Sequence, residues 1–254
     1  MDWIRDFYAK QGAWTGVYGG APGDHNHAKV GAIARLVGPG PWRILELGAG
    51  GGQNAAATAG LGHDVTALEL VASSADHART LATSVEGGSL QVIEGDFYGV
   101  ELEGTFDVVT YWDGFGVGAD EDQRTLLRRV AGWLRPGGCA LIDIYVPSYA
   151  AASAGRHMVF GDAERRYGFD AEGCRWLDRW WQTGREDEAV TQSLRAYTPA
   201  DLQLLLRGTG LCLDAWEPGG GMDWEAGKWR AQQPLERAMS FLARLVAAPG
   251  EDPG

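Results

Sequence analysis

The sequence predicts an α/β domain built on a parallel sheet, and three observations carry that expectation. Short apolar runs alternate with stretches of helical period between residues 28 and 146, at the spacing of βαβ units. The first run, residues 42–47, ends in a glycine cluster (Gly48, Gly50, Gly51, Gly52) that leads into an alanine-rich helix. The rhythm then breaks between Pro147 and Thr198, where aromatic and charged residues take over.

Residues 1–27 read as a short helix and a loop, with Tyr8, Trp14 and Tyr18 as an N-terminal lid or as plain packing aromatics. Asp24 or Asn26 is the expected cap of the next helix. That helix runs to about residue 37, with Val30, Ile33, Ala34 and Val37 on one face, and Gly38-Pro39-Gly40-Pro41 stops it. Strands are expected at 42–47, 65–70, 90–94, 106–112 and 139–146, and helices at 53–59, 72–83 and 120–134. Arg135-Pro136-Gly137-Gly138 turns the chain into the fifth strand.

Within 147–198 the expectation is an inserted antiparallel hairpin of 174–182 and 189–197, with Glu186-Asp187-Glu188 at its turn. It reads as a substrate lid, or alternatively as a contact between the two copies of a homodimer. On its first strand Trp176, Asp178 and Trp180 share one face, which reads first as a hairpin packing its aromatics on the domain and otherwise as an aromatic wall with a carboxylate that suits a cationic or planar aromatic substrate. Thr198 caps a helix that opens with Pro199. A strand at 211–217 and a closing helix at 234–247 complete the core, and the tail 249–254 is expected to be disordered. The chain thus divides into a lid segment 1–27, a core 28–146, the insertion 147–198 and a C-terminal completion 199–248.

Bulk properties narrow the partners. A formal charge of −12 repels phosphate backbones, so nucleic acid is not expected. No apolar run is long enough for a membrane span, and the charged start MDWIRDFYAK has no signal-peptide core. Cys139, Cys174 and Cys212 are widely spaced and odd in number, which points to free thiols in the cytoplasm and to no metal site.

A strand, a glycine loop, a helix and a later acid describe a nucleotide site. Glycine lets backbone amides approach a ligand closely, and Glu69, at the end of the second strand, can accept ribose hydroxyls. A dinucleotide loop needs glycine at the position of Gln53 in Gly48-Ala49-Gly50-Gly51-Gly52-Gln53. Glu46 would also be unwelcome beside a pyrophosphate, whereas it suits a ligand carrying an ammonium and a sulfonium.

From these residues the segment Ile44-Leu45-Glu46-Leu47-Gly48-Ala49-Gly50-Gly51-Gly52 resembles the first motif of class I methyltransferases that use S-adenosyl-L-methionine. Residues 65–79, Glu94-Gly95-Asp96-Phe97, and Phe106-Asp107-Val108-Val109 followed by Leu134-Arg135-Pro136-Gly137-Gly138 match further segments in order. The resemblance implies a mostly parallel, seven-stranded Rossmann-like sheet with one antiparallel strand near its edge. For the seventh strand only residues 224–230 offer a candidate. The resemblance also implies S-adenosyl-L-methionine as cofactor, held by Tyr18, Glu46, Gly48, Ala49, Gly50, Asn54, Glu69, Leu70, Asp96, Phe97, Tyr111 and Trp112. Glu69 would take the ribose and Asp96 the adenine amine.

The acceptor should sit beyond the carboxyl ends of strands four and five. Asp113 is the expected base, or partner of a substrate amine, although it equally reads as a turn residue before Gly114. Tyr145 is expected to orient a nucleophile or to pack on the hairpin, and His25 is a further candidate base. His27 is read as packing on the core. Asp113 and Asp143 without a neighbouring Asn make an incomplete magnesium site. The motif (N/D)PP(Y/F) is absent, Thr110-Tyr111-Trp112-Asp113 standing in its place. The resulting expectation is a methyltransferase acting on nitrogen or oxygen of a small molecule, a secondary metabolite. The alternatives are other chemistry on the same cofactor, a module that binds without catalysis, or a nicotinamide-dependent oxidoreductase.

Overall fold

The computed structural model describes residues 2–250. Five parallel strands form the centre: β1 (Arg43–Leu47), β2 (Asp64–Glu69), β3 (Ser89–Glu94), β4 (Phe106–Tyr111) and β5 (Leu134–Tyr145). They alternate with α3 (Gln53–Gly60), α4 (Ala72–Ala82) and α5 (Asp120–Trp133), as the periodicity predicts. Two helices precede them, α1 (Asp2–Thr15) and α2 (Asp24–Leu36). The sheet order is completed by β10 (Leu211–Pro218) and β13 (Ser240–Ala247), and runs β10-β13-β5-β4-β1-β2-β3. β13 lies antiparallel to both of its neighbours. Strand order reverses between β1 and β4, so their carboxyl ends open a crevice.

Side chains alternate across the sheet and build a core on each face. Leu45, Leu47, Val109, Ile142 and Ile144 pack toward α5 and α7 (Pro199–Leu205). Ile44, Val65, Val108 and Leu141 pack with α2 and α3. Alternation also places Glu46 with Ile44 and Asp143 with Leu141, on the side where α2 lies. Buried alanines at 55, 56, 57 and 59 let α3 sit close to its neighbours.

The closing helix expected at 234–247 is a strand instead. Ala, Leu, Arg and Met favour a helix, but Phe241, Ala243 and Leu245 recur at period two and are fully buried between β5 and β10. Pairing with two open strand edges outweighs local propensity. This is the missing seventh strand. Residues 224–230 instead contribute β12 (Lys228–Arg230) to a small ribbon with β11 (Gly221–Asp223).

The insertion is also larger than one hairpin. After α6 (Pro147–Ser153) it forms a four-stranded antiparallel sheet of β6 (His157–Phe160), β7 (Ala163–Asp170), β8 (Arg175–Gln182) and β9 (Val190–Arg195). The predicted pair is β8 and β9, with a single 3-10 turn at Glu186–Glu188. Arg165, Arg166 and Gly168 hide β7 from an apolar-alternation reading. α1 packs against this sheet through Phe7, which is buried with Ala163 and Trp180.

α2 is capped by Gly23, not by Asp24 or Asn26. The Asn26 side chain instead reaches back to accept from the Gly23 N–H at 2.9 Å. Thr198 caps α7 as expected: its hydroxyl accepts from the Asp201 N–H at 3.1 Å and the Asp201 carboxylate accepts in return. Thr198→Ala should therefore lower unfolding stability by about 1 kcal/mol, read as a small fall in denaturation midpoint at unchanged m-value. Of the tail, Pro249 and Gly250 form a turn, and residues 251–254 lie outside the described residues.

Candidate functional site

A cavity of about 610 Å³ opens over the carboxyl ends of β1, β2 and β4, roofed by α1, α2 and the inserted sheet. It lies within the size range of small-ligand pockets. The glycine loop forms its floor. Gly48, Gly50 and Gly52 have φ of +59°, +55° and +81°, a region that favours glycine. A Cβ on Gly48 would stand 3.2 Å from the Tyr111 ring, so the backbone there also needs the space.

Glu69 ends β2 beside this loop. Its carboxylate accepts the Gly50 N–H at 2.7 Å and the Val71 N–H at 2.8 Å. Burial raises its pKa, and those backbone donors oppose the rise. Asp96, after β3, accepts the Tyr98 N–H at 2.8 Å and faces the cavity. Ala49, Leu70, Phe97, Tyr111 and Trp112 line it as well. Asn54 lies at its edge and accepts from Asn26 Nδ2 at 2.7 Å. Tyr8 and Tyr18 reach the cavity from the N-terminal segment, while Trp14 packs with Phe7 and Trp180 instead.

Glu46 does not reach the cavity surface. It lies behind Trp112 and Lys29, which do. Burial pushes its pKa up to about 8, against the pull of Trp112 and Lys29. The Trp112 Nε1 is near enough to weigh on Glu46, yet neither it nor Glu46 Oε2 makes a hydrogen bond of good geometry among the described residues.

Beyond β4 the cavity holds Asp113, at φ +60°, outside the usual range for a side chain other than glycine. Much of its surface faces the hollow, yet protein surrounds it on every side. Burial therefore raises its pKa, with Lys29 opposing and Asp143 adding to the rise. The Tyr145 hydroxyl donates to Asp113 Oδ1. Tyr145 also packs edge-on against Trp176 at 4.8 Å, the hairpin contact expected of it.

Three charged or polar residues that the sequence reading missed line the same space. Lys29 pairs with Asp143 at 3.1 Å. Burial would lower its pKa, but Asp143 and Asp113 outweigh it and the ammonium stays charged. Helical spacing could have revealed it, since Lys29 lies one turn after His25 and Asn26. Arg165 clasps Asp178 through Nε and Nη2 and lies 4.3 Å from the Tyr167 ring centre and 4.6 Å from that of Trp180. Gln192 donates to the Tyr8 hydroxyl at 2.5 Å. The wall of Trp176, Asp178 and Trp180 exists, but Arg165 neutralises its carboxylate.

His25 lines the cavity and hydrogen-bonds to nothing among the described residues; His27 is exposed, not on the core face. Asp143 is occupied by Lys29, and no cluster able to hold a metal occurs among the described residues. No described helix is long and apolar enough to cross a membrane.

Residues 44–138 match a family model described as a methyltransferase domain. A stretch of 109 residues is 35% identical to the cypemycin N-terminal methyltransferase of a Streptomyces species, covering 41% of this chain and 42% of that protein. Among solved structures, the CcbJ methyltransferase from Streptomyces caelestis superposes with a TM-score of 0.69 at 22% identity, covering 96% of both chains. An S-adenosylmethionine-dependent methyltransferase from Clostridium acetobutylicum gives 0.68 at 14% identity, over 88% of this chain and 91% of that one. At such identities these two superpositions establish the fold.

Proposed function

We propose that this chain, which carries a methyltransferase domain over residues 44–138, transfers a methyl group from S-adenosyl-L-methionine to a nitrogen of a small molecule. The observation that carries this reading is Asp113: a carboxylate held by Tyr145 and open to the same cavity as the glycine loop. The nitrogen reading draws support from the cypemycin relative, whose name specifies an N-terminus. Free thiols at Cys139, Cys174 and Cys212 fit a reducing cytoplasm.

The donor set fits the cofactor. Gly48 and Gly50 leave their backbone open, Glu69 and Asp96 offer carboxylates to ribose and adenine, and Leu70, Phe97 and Tyr111 supply apolar surface. Glu46 backs the cavity wall and is protonated in the free protein, and an ammonium bound on the other side of that wall would draw it toward the carboxylate. When bound, S-adenosylmethionine supplies an electrophilic methyl group on a sulfonium whose departure needs no acid. The protein's share is alignment, exclusion of water and handling of one proton. Asp113 accepts an N–H of the acceptor amine, turns its lone pair toward the methyl group, and takes the proton left on the methylated nitrogen. Its raised pKa suits that last step. Lys29, held on Asp143, remains a fixed positive charge that keeps Asp113 from being neutral throughout. His25 stands as a second candidate base. An oxygen acceptor is the other reading, because a carboxylate of raised pKa would also serve to deprotonate a hydroxyl.

Calorimetry with S-adenosylmethionine and S-adenosylhomocysteine, followed by product analysis on primary amines and matched alcohols, tests the proposal. S-adenosylhomocysteine formed with amines is expected. Methylthioadenosine as product would mean cyclisation of the cofactor's side chain, and no heat with either ligand would remove the cofactor assignment.

Glu46 makes cofactor binding pH-dependent. The free protein holds a proton there up to about pH 8, and an ammonium nearby favours the carboxylate. Binding then releases a proton, so affinity should rise as pH climbs toward about 8 and level off above. Calorimetry at pH 7 in two buffers of different ionisation enthalpy measures the release, and Glu46→Gln should abolish it. The sign for stability is the reverse of a salt-bridged acid. Neutral Glu46 contributes fully below the ordinary carboxylate range, and that contribution is lost as pH rises through about 8.

A further inference from the structure

The glycine loop ends in a residue of a different kind. Gln53, the first residue of α3, sends its side chain away from the helix and across to the N-terminal segment. Its Nε2 donates to the Gly19 carbonyl at 3.0 Å and, more weakly, to that of Val17 at 3.5 Å. Those carbonyls flank Tyr18.

The segment they belong to is built as a strap. It is bounded by Gly16 at φ +67° and Gly20 at φ +83°, and nothing crowds the Cβ position of either. Backbone rotation at both ends therefore meets little steric resistance. Between them, Tyr18 lies over the glycine loop. A Cβ on Gly50 would come within 2.9 Å of its ring, and one on Gly51 within 2.0 Å of its carbonyl oxygen. Val17, Tyr18 and Gly19 all line the cavity.

Val17 is 55% exposed, so the apolar hold on the strap is the Tyr18 ring, which packs against Gly12 of α1 and Gly50 of the loop. The Tyr18 hydroxyl donates to Gln11 at 2.8 Å, which ties it to α1 and not to the core. Among the described residues the hydrogen bonds from the strap to the core come from Gln53.

We propose that Gln53 is a positioning residue: its amide latches the strap of residues 16–20 over the loop that receives the adenosyl group and sets how long the cofactor stays bound. This rests on the cofactor reading above. A ligand on the loop lies beneath Tyr18, so its exchange requires the strap to lift, and lifting breaks both Gln53 bonds. The residue that spoils this loop for a dinucleotide is thereby given a use. A glycine at position 53 would tighten helix–strand packing but leave the strap untied.

The test compares wild-type protein with Gln53→Glu, which keeps the size and loses the donor, and with Gln53→Ala. In the ligand-free protein, hydrogen exchange of amides 17–20 should speed up by about five- to tenfold, the equilibrium worth of one good neutral hydrogen bond. Stopped-flow tryptophan fluorescence should show S-adenosylhomocysteine leaving and entering faster by a similar factor, because the same bonds latch the ligand-free strap, with Kd changed by less than about twofold. A purely structural role would instead lower the melting temperature with both rates left as in wild type. Exchange and dissociation like wild type in both variants overturn the latch, as does faster exchange with unchanged dissociation. Wild-type protein that binds no S-adenosylhomocysteine would instead overturn the cofactor reading.

Discussion

Glu69→Ala should weaken S-adenosylmethionine binding by about a hundredfold with the fold retained. The Glu69 carboxylate already accepts the Gly50 and Val71 N–H groups, one on each oxygen. Each oxygen carries a second lone-pair site, so both remain open to a ribose hydroxyl. Hydrogen bonds to a charged acceptor are worth about 1.5–3 kcal/mol each. Losing two, less what water recovers, leaves about 3 kcal/mol, or roughly two orders of magnitude in Kd. The substitution also orphans the Gly50 N–H and loosens the loop, which adds to the loss. Glu69→Gln separates these contributions. It keeps the volume and one acceptor oxygen, but turns an amide donor toward a backbone donor, so about a tenfold loss is expected. Calorimetric titration of the three proteins is the measurement, with circular dichroism confirming the fold. Equal affinity in Glu69→Ala would remove the ribose assignment.

The central sheet was legible because its strands carry their own signal. Residues 44–47 and 108–112 are buried on both faces and read as mostly apolar runs, and glycine follows each exit within two residues. Legibility fails where tertiary context overrules composition. Ser240–Ala247 has helix-forming residues and becomes a strand because β5 and β10 leave an unfilled place between them. β7 was hidden because Arg165, on its inward face, is a charge whose partner, Asp178, stands on the next strand.

The cavity floor was equally legible, because a glycine loop and an acid at a strand end are local signals. Its roof was not. Lys29, Arg165 and Gln192 come from α2, β7 and β9, and only the folded chain brings these three elements over Asp113. Glu46 shows the reverse difficulty. The sequence places it in the site by its distance from Gly48, but strand alternation turns it toward α2, behind Trp112. Which face of a strand meets the ligand is settled by packing, not by spacing.

Asp113→Asn should lower kcat by about 10²- to 10³-fold while S-adenosylmethionine affinity stays within about twofold. A positioned base contributes about 10²–10⁴ in rate, and the lower part of that range applies because an amine nucleophile needs its proton removed only late. Asparagine keeps the shape and can still accept from Tyr145 through its carbonyl, so the pocket should survive. The substitution removes the negative charge that steadies the ammonium left on the methylated nitrogen. It also leaves Lys29 with Asp143 as its remaining close carboxylate partner, so the pair at 3.1 Å should persist. Tyr145→Phe is the graded companion. It leaves the charge and removes the hydroxyl that fixes its direction, and about a tenfold loss of kcat is expected. The pH profile tells the two apart. Wild type should lose activity as pH falls through the raised Asp113 pKa, because protonation removes the acceptor. Asp113→Asn should lose that acidic limb altogether, whereas Tyr145→Phe should shift the limb to higher pH, having lost a donor that favours the carboxylate. Full turnover in Asp113→Asn would remove this residue from the mechanism and leave His25 as the candidate base facing the cavity.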